Sequence, residues 1–214
     1  MDNRNDKERL TSPFDLTYQQ AEIENKIAAG LERISASFRV MLWDKAKVHG
    51  LSPIQLQILI FLREHPAELR TVSQISSEFK MTLPTISDSI ATLEKKGLIE
   101  RSINSKDGRS RELLLTNSGK ELSHELDDFA DPLKLAICKL SDPGKAELWR
   151  SLTGVIHALN KTGILGTQRM CLNCKYYSEQ NGPNCELLGK PLFPQDIRLD
   201  CPDFIDATEL PRQM

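Results

Sequence analysis

No stretch of this sequence is apolar for long enough to cross a bilayer; the longest candidate, around Ile58 to Leu62, is far too short. No apolar segment follows a basic start, because Met1 to Ser12 is polar and mixed in charge. A cytoplasmic location with no membrane partner is therefore expected. Gly-rich phosphate loops, nucleophile elbows and HExxH pairs are all missing, so the chain is not expected to be an enzyme. No internal repeat is visible. A large excess of basic charge is missing too. The net charge of −2 excludes a protein that coats nucleic acid indiscriminately, but not a reader whose basic groups are clustered.

What is present is a chain of 214 residues, 27% charged and 39% hydrophobic. That balance fits a soluble globular protein with one ordinary domain plus an appendage. Residues 1–15 have no usable periodicity and read as a disordered tail. From Tyr18 to Val48, Ile23, Ile27, Leu31, Ile34, Phe38 and Met41 recur in steps of three and four, the stripe of one long amphipathic helix. Gly50 ends it, and Ser52-Pro53 opens a second helix with Ile54, Ile58, Phe61 and Leu62 inward.

His65-Pro66 breaks the second helix. Thr71 then caps a short helix with Val72, Ile75 and Phe79 on its buried side. A turn at Lys80 to Thr82 leads into a helix from Leu83 to Lys96, closed by Gly97. Leu98 to Ile103 and Arg111 to Leu115 are strand-like and flank a turn-rich segment, so they read as a hairpin. A further helix, capped within Thr116–Ser118, is expected through Phe129, interrupted or ended near Pro132, and a last one from Asp142-Pro143 through Leu159.

Two short helices joined by a tight turn and followed by a hairpin form a winged helix-turn-helix. The expected fold class is mainly α with a small β-hairpin wing, carrying long dimerisation helices and a small Cys-rich C-terminal module. Within the Leu83–Lys96 helix, Ile86, Ile90 and Leu93 share one face. Thr82 lies at its start, and Pro84, Thr85, Asp88, Thr92 and Lys95 project on the other side with Ser87 on the flank. Short hydroxyl side chains permit close approach to base edges and phosphates. An ordinary solvated face would look the same in isolation. The hairpin shifts the balance: Arg101, Lys106, Arg109 and Arg111 face only Asp107, and Arg109 at the tip suits a narrow minor groove.

The stretches Thr82-Leu83-Pro84-Thr85-Ile86-Ser87, Leu93 to Arg101, Asp107-Gly108-Arg109-Ser110 and Leu115 to Lys120 together resemble the reading helix, wing and following helix of MarR-type regulators. The resemblance spans roughly Ile23 to Leu159. It implies a homodimer on double-stranded DNA with a palindromic operator, its interface formed by the first helix and the last two. Many relatives carry arginine where this chain has Asp88; an aspartate there cannot neutralise a phosphate, but can accept from a cytosine amino group. Read from the residues alone, the long apolar stripes pack either within one subunit or along a dimer seam, and their length favours the seam.

Residues 161–214 change character, with more proline and cysteine. Cys171, Cys174, Cys185 and Cys201 follow the spacing C-x2-C-x10-C-x15-C. Clustered thiols in a reducing compartment point to metal ligation rather than disulfides. Four thiolates satisfy either a tetrahedral zinc or an iron–sulfur cluster. Tyr176, Tyr177, Leu187, Leu188 and Phe193 form the apolar shell of a cluster or a minimal core around zinc. Cys-x-Asn-Cys-x-Tyr followed by Cys185-Glu186-Leu187-Leu188-Gly189-Lys190 and a last isolated cysteine is similar to the cluster loop of high-potential iron–sulfur (HiPIP) proteins, although the gaps differ. The resemblance implies [4Fe-4S] ahead of zinc. Cys138 is expected to be a buried thiol, and His49, His65, His124 and His157 to be ordinary surface or packing residues.

The combined expectation is a DNA-binding transcriptional regulator whose four-cysteine site senses redox state or iron supply. Its rival is a MarR-type repressor that answers to a small-molecule effector and uses zinc structurally. A redox enzyme is the remaining alternative, and it lacks any substrate-site signature.

Overall fold

The structure is a computed structural model that describes residues 11–103, 111–166, 168–180 and 182–207. The chain divides into two units, Met1–Pro53 and Ile54–Met214. Among the described residues, no helix is long and apolar enough to cross a membrane.

The first unit holds α1 (Leu16–Ala21) and α2 (Ile23–Val48). The single helix expected from Tyr18 to Val48 is broken at Glu22, which is extended. Its carboxylate accepts from Asn25 Nδ2 at 2.8 Å and from Thr11 Oγ1, and these bonds hold the corner. Residues 11–15, expected within the tail, instead lead into α1, with the Asp15 side chain accepting from the Thr17 and Tyr18 amides. Residues 1–10 lie outside the described part. On α2 the expected stripe is only partly covered: Ile23, Ile27 and Ile34 are exposed and Leu31, Phe38 and Met41 half-buried, whereas Asn25, Ala29, Leu42 and Ala46 are buried.

The second unit runs α3 (Pro53–Glu64), a 3-10 turn at Ala67–Leu69, α4 (Val72–Glu78), α5 (Leu83–Lys95), β1 (Ile99–Ile103), β2 (Arg111–Leu115), α6 (Asn117–Glu125), α7 (Asp131–Cys138) and α8 (Asp142–Lys161). Each of α4, α5, α6 and α8 starts on a hydroxyl cap (Thr71, Thr82, Thr116 and Ser141) that accepts from a first-turn amide. Lys80 takes the left-handed conformation (φ 50°) between α4 and α5. Two bonds between Ser76 and Met81, amide to carbonyl at 3.1 Å and hydroxyl to carbonyl at 2.6 Å, tighten that turn. Gly97 (φ 70°) closes α5 as expected.

Strands β1 and β2 pair antiparallel with Ile99 opposite Leu115 and Arg101 opposite Leu113. The Leu113 amide donates to the Arg70 carbonyl at 2.8 Å, stitching the wing to the segment before α4. The core of this unit is Leu56, Ile58, Leu59 and Leu62 of α3, Ile75 of α4, Ile86, Ile90 and Leu93 of α5, Leu113 and Leu126. Each such side chain stabilises the fold by about 1.5–3 kcal/mol through burial. Near Pro132 the helical run is interrupted rather than ended: the proline sits in the first turn of α7, where its missing N–H costs nothing.

Beyond α8 the chain forms a small sheet that the sequence did not reveal. Strands β3 (Tyr177–Ser178), β4 (Asn184–Cys185) and β5 (Lys190–Pro191) are antiparallel in that order, with 3-10 turns at Cys171–Asn173 and Pro194–Asp196.

Candidate nucleic-acid interface and four-cysteine site

Helix α5 divides into two faces. Ile86, Ser89, Ile90 and Leu93 are buried, while Thr82, Pro84, Thr85 and Asp88 are exposed and Ser87 is half-buried. Ser89 satisfies its hydroxyl internally, donating to the Thr85 carbonyl at 2.9 Å. Thr82 Oγ1 accepts from the Thr85 amide and lies 2.8 Å from Thr85 Oγ1, so cap and first turn present two linked hydroxyls at the open end. Pro84 fills a first-turn position without leaving an amide unbonded. Thr92 donates to the Asp88 backbone carbonyl at 2.9 Å, and Asp88 itself is exposed.

The wing is anchored at its base. Arg101, counted among the clustered basic residues, bonds Glu94 Oε1 through Nε at 2.8 Å and so ties β1 to the end of α5. Arg111 is exposed at the start of β2. Lys106 and Arg109 lie outside the described residues. The structure thus brings Thr82, Pro84, Thr85, Ser87 and Asp88 onto one helix face and places Arg111 on the hairpin next to it in sequence.

The four cysteines of the C-terminal module line one pocket with Tyr176, Tyr177, Leu187, Leu188, Leu192 and Asp203. None forms a disulfide. Among the described residues, no group of three or more His, Cys, Asp or Glu side chains is placed to hold a single metal ion. Burial pushes the Cys171 thiol above its usual range, and the other three thiols add to this, while the Arg198 amide, donating to Cys171 Sγ at 3.3 Å, opposes it. Phe193, expected in the apolar shell, is exposed and does not line the pocket.

Cys138 overturns its expectation. It is exposed, because no residue of α7 is buried in this chain and Leu135 and Ile137 also face outward.

Two histidines have roles that their scattered positions conceal. His157 Nδ1 lies 2.7 Å from Oδ1 of Asn173, inside the first cysteine pair. His65 stacks on Phe61 (centroids 3.9 Å apart) and meets Arg169 at 3.3 Å. Sequence reasoning misses Arg169 and Asp200 altogether. Their partners lie tens of residues away, and no local pattern marks them.

Residues 49–110 match the model of the MarR family. No curated protein matches the sequence. Among solved structures, S. aureus MepR in complex with DNA is 24% identical, covering 62% of this chain and 97% of its own, with a TM-score of 0.54. CouR from Rhodococcus jostii, bound to p-coumaroyl-CoA, is 17% identical over 63% of this chain and 94% of its own, with a TM-score of 0.54. A MarR transcriptional regulator from Methanosarcina mazei is 19% identical over 64% and 96%, with a TM-score of 0.51. This chain therefore has the mainly helical winged fold of the MarR regulators, and α5 and β1 lie within the segment that the family model matches, which stops just before β2.

Proposed function

We propose that this chain is a DNA-binding transcriptional regulator, not an enzyme, that acts in the cytoplasm as a homodimer on a palindromic operator. The observation that carries the reading is the division of α5: every large apolar side chain but Leu83 is committed to the core, and the outer face offers hydroxyls, a proline and one carboxylate. That composition fits a major groove, where small polar groups reach base edges. The solved MepR structure in complex with DNA shares this fold, which supports the same use here.

Dimerisation is supported by apolar surface that a lone chain leaves in water. Ile23, Ile27, Ile34, Val40 and Trp43 on α2, Leu135 and Ile137 on α7, and Leu148, Val155 and Leu159 on α8 are all exposed. A two-fold dimer presents two reading helices to half-sites about 34–36 Å apart.

In the same reading, Cys171, Cys174, Cys185 and Cys201 hold an iron–sulfur cluster of the [4Fe-4S] type in the module spanning residues 161–214. Four free thiols around an apolar pocket fit a group in which each iron takes one thiolate, and Tyr176, Tyr177, Leu187, Leu188 and Leu192 keep water from it. Bound there, the cluster supplies one-electron redox sensitivity. The chain's own residues supply the ligands, the dry wall and the Arg198 amide directed at Cys171.

The deciding experiment is anaerobic purification with iron, sulfide and zinc analysis, followed by a mobility-shift assay on the DNA upstream of the chain's own gene. A shifted band and near-equal iron and sulfide are expected. Absence of any shift overturns the regulator reading, and zinc without sulfide overturns the cluster.

A further inference from the structure

A largely shielded arginine joins the four-cysteine pocket to the DNA-reading half of the unit. Arg169, two residues before Cys171, has a side chain only 12% exposed. Its Nε donates to Asp200 Oδ1 at 3.0 Å, next to Cys201, and its Nη2 donates to Glu78 Oε2 at 2.9 Å, at the end of α4. The Cys201 amide donates to the Arg169 carbonyl at 3.1 Å, so backbone and side chain of one residue hold both sides of the junction. His65 completes it: Nδ1 lies 3.0 Å from the Phe61 carbonyl, and Nε2 faces Arg169 at 3.3 Å and Asp200 at 3.7 Å.

The first cysteine pair is tied elsewhere. Asn173 uses its whole amide, with Oδ1 on His157 and Nδ2 donating to Asn160 Oδ1 at 2.9 Å and to the Gln168 carbonyl at 3.0 Å. His157 and Asn160 are one turn apart on α8. One cysteine-bearing loop is thus fastened to α8 and the other to the last residue of α4. Helix α4 leads through the tight Lys80 turn into α5.

From this arrangement we infer that Arg169 is a positioning residue that transmits the state of the four-cysteine site to the reading helix, while Asn173 holds the first cysteine pair on α8. The inference rests on the cluster-bearing regulator reading above. When the four thiols are drawn onto a common group, Asp200 and Cys201 move with it, and the Arg169–Glu78 pair carries that movement to the end of α4. Arg169 is suited to this because a planar guanidinium bonding two carboxylates at fixed angles resists shear, as a lysine at the same place does not. One element, the C-terminal end of α4, meets both the Arg169–Glu78 pair and the turn into α5, so a shift there reaches both sites.

The test compares anaerobically loaded and apo protein, for the full-length wild type, Arg169→Gln, Arg169→Lys and Glu78→Gln. Three quantities are read: iron and sulfide per chain, the affinity for the upstream DNA, and amide hydrogen exchange of residues 72–81. In the wild type, loading is expected to change DNA affinity by roughly 5–150-fold and to change protection across α4. In Arg169→Gln and Glu78→Gln, iron and sulfide stay at the wild-type level, while the affinity ratio and the α4 difference collapse toward one and zero. Arg169→Lys, which keeps the charge but not the fork, loses most of the ratio.

Variants that stay loaded and keep the wild-type ratio overturn the inference and leave the regulator reading standing. A wild type that binds neither iron nor sulfide, or binds DNA equally in both states, overturns both the inference and the sensory role of the module. Should Arg169→Gln fail to fold, Glu78→Gln decides, since it removes one partner and leaves the Asp200 bond in place.

Discussion

Gly119 brings its bare α-carbon against the backbone of Leu98: a Cβ placed on it would stand 1.9 Å from the Leu98 carbonyl oxygen. The approach is reinforced alongside, where the Thr116 amide donates to that same oxygen at 3.1 Å and Thr116 Oγ1 donates to the Gly97 carbonyl at 2.7 Å. The end of α5, the root of the wing and the start of α6 therefore meet at one point. Gly119→Ala gains helix propensity of about 1 kcal/mol. The overlap is with backbone, however, and forcing a packed site apart costs about 1–3 kcal/mol or more. Net destabilisation is expected, seen as a lower urea midpoint at unchanged slope. A midpoint that holds or rises contradicts the close approach.

Core and reading faces of α5 respond differently to truncation. Ile90 is fully buried, so Ile90→Ala is expected to cost about 2–5 kcal/mol of folding stability. Thr92 is exposed and its hydroxyl bonds only within the helix, so Thr92→Ala stays within about 0.5 kcal/mol. Denaturant curves of the two proteins check this, and equal losses would mean that the faces are wrongly assigned.

Asp88 is exposed on the outer face of α5, the face proposed to meet DNA. Asp88→Asn converts an acceptor-only group into one that also donates, which changes which base edge it prefers. One operator position is expected to shift its preference, by about 1–3 kcal/mol of discrimination, with stability unaltered. Binding selection from a randomised half-site reads this directly, and identical preferences in both proteins would remove Asp88 from the interface.

Exposed apolar residues on α2 and α7 make a mutational prediction about assembly. Ile27→Asp and Leu135→Asp each place a charge where the proposed dimer buries a side chain. Burying an unpaired charge costs several kcal/mol, so sedimentation equilibrium is expected to show monomers, with operator affinity falling in parallel. Dimers that survive both changes would move the interface elsewhere.

Cys185 lies on β4 opposite Tyr177, and its thiol shares the pocket with the other three. Cys185→Ser is expected to abolish sulfide and broad visible absorbance after anaerobic purification, because a cubane needs a ligand at each iron. Cys138→Ser, on exposed α7, is expected to leave both unchanged. Retention of the full cluster by Cys185→Ser would remove this residue from the ligand set.

Legibility in the sequence follows the range of the interaction. Caps at Thr71 and Thr116, the stop at Gly97 and the apolar spacing of Ile86, Ile90 and Leu93 are local, and each stands in the structure where the sequence places it. The break at Glu22 is hidden from a local reading because it depends on Thr11, 11 residues upstream. Pro132 marks an interruption or an end in the sequence, and which of the two it is stays open there, since a proline serves equally after one helix and in the first turn of the next.

Periodicity, turn chemistry and cysteine spacing act between near neighbours, so the order of amino acids alone dictated most of the helices, the caps at Thr71 and Thr116, the paired strands of the wing and the gathering of four thiols in one short module, but not the corner at Glu22 or helix α7. What those parts touch was settled by folding in three dimensions. The junction of Arg169 with Glu78 and Asp200 joins residues 91 and 31 positions apart. The outward face of Ile23, Ile27 and Ile34 is likewise a fact of packing, since a stripe's spacing says that it must be covered but not by what.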